Sequence, residues 1–216
     1  MALTVTASAT GKDTSGVTNR TIVLNVPTGT NRKIIALGMI TGEAADPGTL
    51  TSVTFAGSAM TLVDYNQYAA SFRSFYYYYD YPDGSASGNQ NFYAAWTQSG
   101  RFHGAVVCIQ PDITGAPKAL ASGTALTLSS ITSAVADLIV GIICSNGDGV
   151  PASPGAGQTS VLAANTAADY GSVGVSYKTG TSTSESMSWT SSTGTIRHLA
   201  VSYSPVTGGG LMLFSS

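Results

Sequence analysis

The chain has 216 residues, of which 43% are hydrophobic and only 9% charged, with a net charge of −2. That length buries a sizeable core without staples and suits one large all-β domain or two small ones. The nine Lys and Arg residues are scattered from Lys12 to Arg197, with only Arg32 and Lys33 adjacent, so there is no basic stripe for nucleic acid and no polybasic patch for a membrane. A surface this poor in charge must be polar through Ser, Thr, Asn, Gly and Tyr. Isolated soluble proteins rely on charge to stay apart, so the deficit points to a surface covered by partners.

The opening "MALTVTASATGKD" has no apolar core long enough for a signal peptide, and "ADLIVGIIC" is too short to span a bilayer. The expectation is a chain made and folded in a cytoplasm. "RTIVLNV" alternates, with Ile22, Leu24 and Val26 on one side. "RKIIALGMI" is apolar on both faces and reads as a central strand. "SVTFAGSAMTLV" reads as a hairpin turning at Ala56-Gly57-Ser58. "SFYYYYDY" and "NFYAAWTQ" flank the Gly-rich loop "PDGSASGNQ", and "RFHGAVVCIQ" follows as a separate strand.

The second half echoes the first in layout. "ALTLSSITSAVADLIVGIIC" is again an alternating strand, a short connection and a long apolar strand. "GVPASPGAGQTSVLAANTAADYG" reads as a polar loop or weak edge strand, with a turn or two of helix near "TAAD". "SVGVSYKTG", "ESMSWTSS" and "IRHLAVSYSP" close the set. Ten to twelve short strands at this spacing predict an all-β fold, a two-sheet antiparallel β-sandwich over residues 1–206. Gly208, Gly209 and Gly210 then detach a short flexible C-terminal tail, 207–216.

Catalytic motifs are missing. His103 and His198 lie in separate strand-like runs, where they read as facing a polar patch or a partner. There is no His-Glu-x-x-His, no Gly-x-Ser-x-Gly elbow and no phosphate loop. The chain is therefore read as a non-enzyme without a metal or other cofactor. Cys108 and Cys144 sit in apolar runs as small hydrophobes, and a bridge between neighbouring strands stays open. Asp80, Asp83, Asp148 and Asp169 sit in turns. "SNGDG" offers oxygens to calcium but is equally a good turn former. "NRT" fits a glycosylation sequon that matters only on a secretory route.

Four consecutive tyrosines, Tyr76 to Tyr79, form the most unusual stretch. In a strand, Phe75, Tyr77, Tyr79 and Tyr81 share one face, and Ser74, Tyr76, Tyr78 and Asp80 the other. The set ending in Asp80 is the candidate for the open face. Three uses compete: sheet packing, a protein contact through Tyr76 and Tyr78, or a sugar platform of Tyr76, Tyr78, Asp80 and Trp96. Leu211, Met212, Leu213 and Phe214 in the tail form a second apolar contact candidate, docking as an added strand on this domain or on another subunit.

Three segments together, Val53 to Thr61, Pro154 to Thr159 and Met187 to Pro205, resemble a β-sandwich domain, jelly-roll or concanavalin-like, of tailed-phage and prophage virion proteins. The shared patterns are "V-T-[YF]-x-G-x-x-M-T", "P-G-A-G-Q-T" and "M-S-W-T…H-x-A-V-x-x-x-P", over roughly residues 20 to 206. The resemblance implies a virion accessory protein, most simply a capsid decoration or cement subunit assembled in the host cytoplasm. Its implied partners are the major capsid protein or other virion proteins, with a homotrimer as a plausible form. A carbohydrate-binding or receptor-binding module on a tail or baseplate is the alternative.

Overall fold

The computed structural model describes residues 3–13, 15–42, 46–68, 72–110, 116–146, 153–165, 171–190 and 194–205. Among these residues there is no helix, and every strand pairing is antiparallel. The first eight strands are β1 (Thr4–Lys12), β2 (Val17–Val26), β3 (Arg32–Thr41), β4 (Leu50–Phe55), β5 (Ser58–Ala59), β6 (Thr61–Tyr68), β7 (Phe72–Tyr81) and β8 (Gly88–Gln110). The second eight are β9 (Ala119–Gly123), β10 (Thr127–Thr132), β11 (Leu138–Ser145), β12 (Ser153–Pro154), β13 (Thr159–Asn165), β14 (Ser172–Thr179), β15 (Ser184–Thr190) and β16 (Ile196–Tyr203).

β8 is the spine of the first half. Its part from Arg101 onward lies between β1 and β3, and β7 and β6 extend that row. Its part from Gly88 to Trp96 lies between β2 and β4. The strand passes from one row to the other through Gly100, where an added Cβ would stand 2.9 Å from Ile40 Cγ2. β5 pairs with β4, and after Met60 the same run becomes β6 and pairs with β7. The Met60 amide donates to the Val53 carbonyl at 3.0 Å at this junction. The eight-stranded sheet is thereby nearly closed on itself. Its interior is filled by Ile22, Leu24, Phe55, Phe92 and Trp96 from one side, and by Ile34, Phe75, Phe102 and Val106 from the other.

The second half has a five-stranded sheet, β13-β14-β11-β16-β9, and a three-stranded one, β10-β15-β12. Leu128, Ile131 and Met187 of the smaller sheet pack on Ile139 and Ala200 of the larger. The two halves meet through alternate residues of their central strands. Ile34, Ala36 and Ile40 fill the first interior, whereas Ile35, Leu37 and Met39 meet Leu138, Val140, Ile142 and Cys144 of β11. This shared layer is the seam. β3 and β11 are buried along their whole length, which is why residues 34–40 and 138–144 read as apolar runs.

The second half repeats the strand order of the first. The row β1-β8-β3-β7-β6 is answered by β9-β16-β11-β14-β13, and β2-β8-β4 by β10-β15-β12. Local details recur as well. Trp96-Thr97 in β8 corresponds to Trp189-Thr190 in β15, and both indoles are buried. The Ala56-Gly57 turn before Met60 corresponds to the Gly157 turn before Gln158, and both turns use positive φ. Gln158 donates to the Ser188 carbonyl at 2.7 Å at the equivalent junction. The two quoted segments Val53 to Thr61 and Pro154 to Thr159 are therefore the same corner of the fold, used twice.

The strands differ from the sequence expectation at several places. The structure has sixteen strands among the described residues, not ten to twelve. β1 was not anticipated, because its half-buried Val5, Ala7 and Ala9 are small and its other face is exposed. Residues 91–98 and 101–110 form one continuous strand, since Thr97 stays extended with its amide on the Thr49 carbonyl at 3.0 Å. The segment from 149 to 171 contributes β12 and the edge strand β13, and "TAAD" lies outside the described residues. The Ala56-Gly57 turn is as expected, with Phe55 opposite Ser58, but the hairpin stops at Ala59, and from Thr61 its second arm pairs with β7 and not with β4.

Candidate functional site

The tyrosine run lies on β7, next to β3 and β6. Its alternation is as the sequence indicates, but the open face is not. Phe75 and Tyr81 belong to the interior of the first half, with Tyr77 and Tyr79 packed against it. Ser74 and Tyr76 point into the seam and are fully buried. The expectation that the set ending in Asp80 stands open therefore fails at Ser74 and Tyr76, because the second half of the same chain covers that face. Tyr78 is half-buried, and only Asp80 is exposed, its side chain at 53%.

At this end of the seam the side chains form one cluster. The Tyr76 hydroxyl lies 3.0 Å from that of Tyr203, from β16. Lys33, opposite Asp80 in the β3–β7 register, is fully buried and makes an ion pair with that carboxylate. Its ammonium lies 4.5 Å from the Tyr78 ring centroid and 5.9 Å from that of Tyr203. Burial lowers the Lys33 pKa, and the hydrogen bond and charge of Asp80 oppose that shift. Burial raises the phenols of Tyr76 and Tyr203 well above the ordinary range. Sequence reasoning missed both Lys33 and Tyr203. A lysine inside a run apolar on both faces was the available signal for the first, and the phase Leu199, Val201, Tyr203 for the second.

Trp96 is elsewhere. It is 3% exposed and stacks on Phe102 at 6.0 Å inside the first half, so Tyr76, Tyr78, Asp80 and Trp96 do not make one platform. Leu211, Met212, Leu213 and Phe214 lie outside the described residues.

His103 and His198 are fully buried, opposite Met39 and Ile143 respectively. They reach neither each other nor a surface, contrary to the expected polar patch. Burial pulls both imidazoles down to about 4, so they are neutral near pH 7. Cys108 and Cys144 are buried free thiols, the first in the interior of the first half and the second in the seam. Burial raises the pKa of each. Asp83 accepts the Asn31 amide at 2.5 Å, and Asn146 accepts that of Thr195 at 2.8 Å, each bond joining two loops far apart in sequence. Asp148 and Asp169 lie outside the described residues.

Charge is tied up in pairs: Arg20–Asp13, Lys33–Asp80, Arg73–Asp46, Lys118–Asp137, Lys178–Glu185 and Arg197–Asp64. The last of these joins β6 of one half to β16 of the other at 3.4 Å. Burial would raise the Glu185 carboxyl, but Lys178 and the amide and hydroxyl of Thr181 bring it down to about 2. Among the described residues no three His, Cys, Asp or Glu side chains gather as a metal site, and no helix is long and apolar enough to cross a membrane. Among known proteins, no family model matches this chain, no curated protein matches its sequence and no solved structure matches its fold.

Proposed function

We propose that this protein is a structural subunit of a phage particle, a capsid decoration or cement component acting through protein–protein contacts and not through catalysis. The observation that carries this reading is where the chain puts its reactive groups. Both histidines and both cysteines are buried and apart, and six ion pairs engage most of the few charges. What is left outside is a Ser-, Thr- and Asn-rich β surface on a block stiffened by packed sheet layers. We read those layers as two stacked jelly-roll-like sandwiches, in line with the virion resemblance of the quoted segments.

The partners in this reading are the major capsid protein and further copies of the chain, a trimer on a local threefold axis being the simplest arrangement. The tail from Gly208 onward is the attachment segment. Each few hundred Å² of apolar contact contributes on the order of several kcal/mol at ~25 cal/mol per Å², repeated over the shell.

Immunogold electron microscopy of a lysate from the source tests this directly. Gold spread over particle heads is the expected result, with occupancy falling when residues 208–216 are deleted. Gold confined to tail ends replaces decoration by a receptor-binding role. Unlabelled particles, with the protein present in the lysate, overturn the virion reading.

A further inference from the structure

We propose that the outer face of the β2–β8–β4 row binds a neutral carbohydrate, with Tyr93 as the stacking platform. Phe92, Ala94 and Trp96 point inward and are buried, so Tyr93 and its alternates along β8, Asn89 and Asn91, point outward. Tyr93 stands directly opposite Thr21 on one side and Thr54 on the other. One half-buried aromatic ring is thus flanked across three strands by two hydroxyls, at cross-strand spacing of about 5 Å.

Three observations select the ligand class. The outward positions carry no charge: Arg20, on the same strand as Thr21, lies on the opposite face and is held by Asp13 at 2.6 Å. A sugar bearing a carboxylate, sulfate or phosphate finds no cation here, whereas a neutral sugar matches the face. Next, no hydrogen bond within the described residues engages the Tyr93 hydroxyl or the side-chain amides of Asn89 and Asn91, so donors and acceptors are free for a polyhydroxylated partner. Finally, the face has one flat aromatic amid amides and hydroxyls, and its most exposed apolar side chain is the small Val23, at 52%. A protein hot spot wants several desolvated anchors around such a ring. A pyranose needs only the ring for its C–H face and polar groups at the rim.

The structural repeat sharpens the assignment. Aligning Trp96 with Trp189 places Ser186 where Tyr93 stands, in an exposed position of β15. The second half has the same flat polar strand without the platform, so one site per chain is expected.

The test uses the full chain titrated with neutral gluco-, galacto- and manno-oligosaccharides, and in parallel with sialylated and uronate-containing ones, followed by amide chemical shifts and calorimetry. Saturable binding of a neutral series at one site per chain is expected. Tyr93→Ala should weaken it by ~10-fold or more, while Tyr93→Phe keeps the stacking and most of the affinity. Asn91→Ala should weaken it severalfold with an unchanged unfolding midpoint, which separates lost binding from lost folding. No binding at millimolar concentrations, a preference for the anionic sugars, or full binding by Tyr93→Ala each overturn the proposal. So does loss of particle attachment in Tyr93→Ala without any sugar binding, which makes the face a protein contact.

Discussion

Tyr76 and Tyr203, in different halves of the chain, share a hydrogen bond of 3.0 Å between two fully buried hydroxyls. Removing either partner leaves the other unsatisfied in the seam, so Tyr76→Phe or Tyr203→Phe should each cost about 1–3 kcal/mol. The double Phe variant should cost clearly less than the sum of the two. A urea double-mutant cycle measures this. Strict additivity would mean that the bond does not tie the halves together.

The same pair gives an alkaline limit. Both phenols are raised in the folded state, chiefly by burial. A raised acid pKa favours the protonated form in the fold, so its stabilisation is complete below the unfolded value of about 10 and is lost as pH rises above it. The contribution of the tyrosine pair, read as the difference in urea midpoint between the wild type and the double Phe variant, should be constant up to about pH 10 and then fall.

Acid acts through different groups. His103 and His198 are lowered to about 4 by burial. Above the unfolded value of about 6.5 both states are neutral. Between there and pH 4 the unfolded chain binds protons that the folded chain refuses, so stability declines, by on the order of 3 kcal/mol per histidine once complete. Glu185 adds a second window: its stabilisation is present above the unfolded carboxyl value and lost as pH falls toward 2. Replacing His198 by Gln should flatten the slope between pH 6.5 and 4 while leaving the lower window intact, as read from unfolding midpoints across pH.

Lys33 and Asp80 should respond asymmetrically. Asp80→Asn leaves a buried ammonium without its counter-ion, at a cost of about 1–3 kcal/mol, below that of a fully buried pair because Asp80 is half exposed. Lys33→Met removes the charge and fills the same space between the Tyr78 and Tyr203 rings, so it should be neutral or stabilising. Thermal unfolding of the two variants decides this by the sign of their difference.

Gly104→Ala should be among the most damaging single-methyl changes. Its Cβ would stand 2.5 Å from the Leu37 carbonyl oxygen, on the adjacent strand, and 2.9 Å from the Phe102 ring. Backbone in a central strand does not yield cheaply, so a loss of about 1–3 kcal/mol or more is expected. Gly57→Ala, whose added methyl meets no atom within 4 Å, tests backbone conformation alone, because that residue has φ +82. Denaturant midpoints of the two variants compare the mechanisms.

Much of the fold was legible because each half-buried strand carries its address in its alternation. Ile22, Leu24 and Val26 read correctly as one face, and the run from Arg32 to Ile40 as a strand covered on both. What was not legible is which part of the chain does the covering. Tyr76 in the seam and a tyrosine on an open face have the same local pattern, and only the second half, folded against β7, separates them. Trp96 is a similar case, since an aromatic between Ala95 and Thr97 suits either an interior or a platform. Tyr93, its neighbour three residues earlier, is the outward one; the sequence reading passed over it, although the period of two along β8 was the available signal.

A protein built from two separate identical subunits must display every surface twice, and any change made for one face is imposed on the other. Here the two matching halves lie on a single chain, so the constraint is lifted. Tyr93 at one end of the block and Ser186 at the other occupy corresponding strands with different chemistry. The block therefore has a direction, and its two ends are free to meet different neighbours.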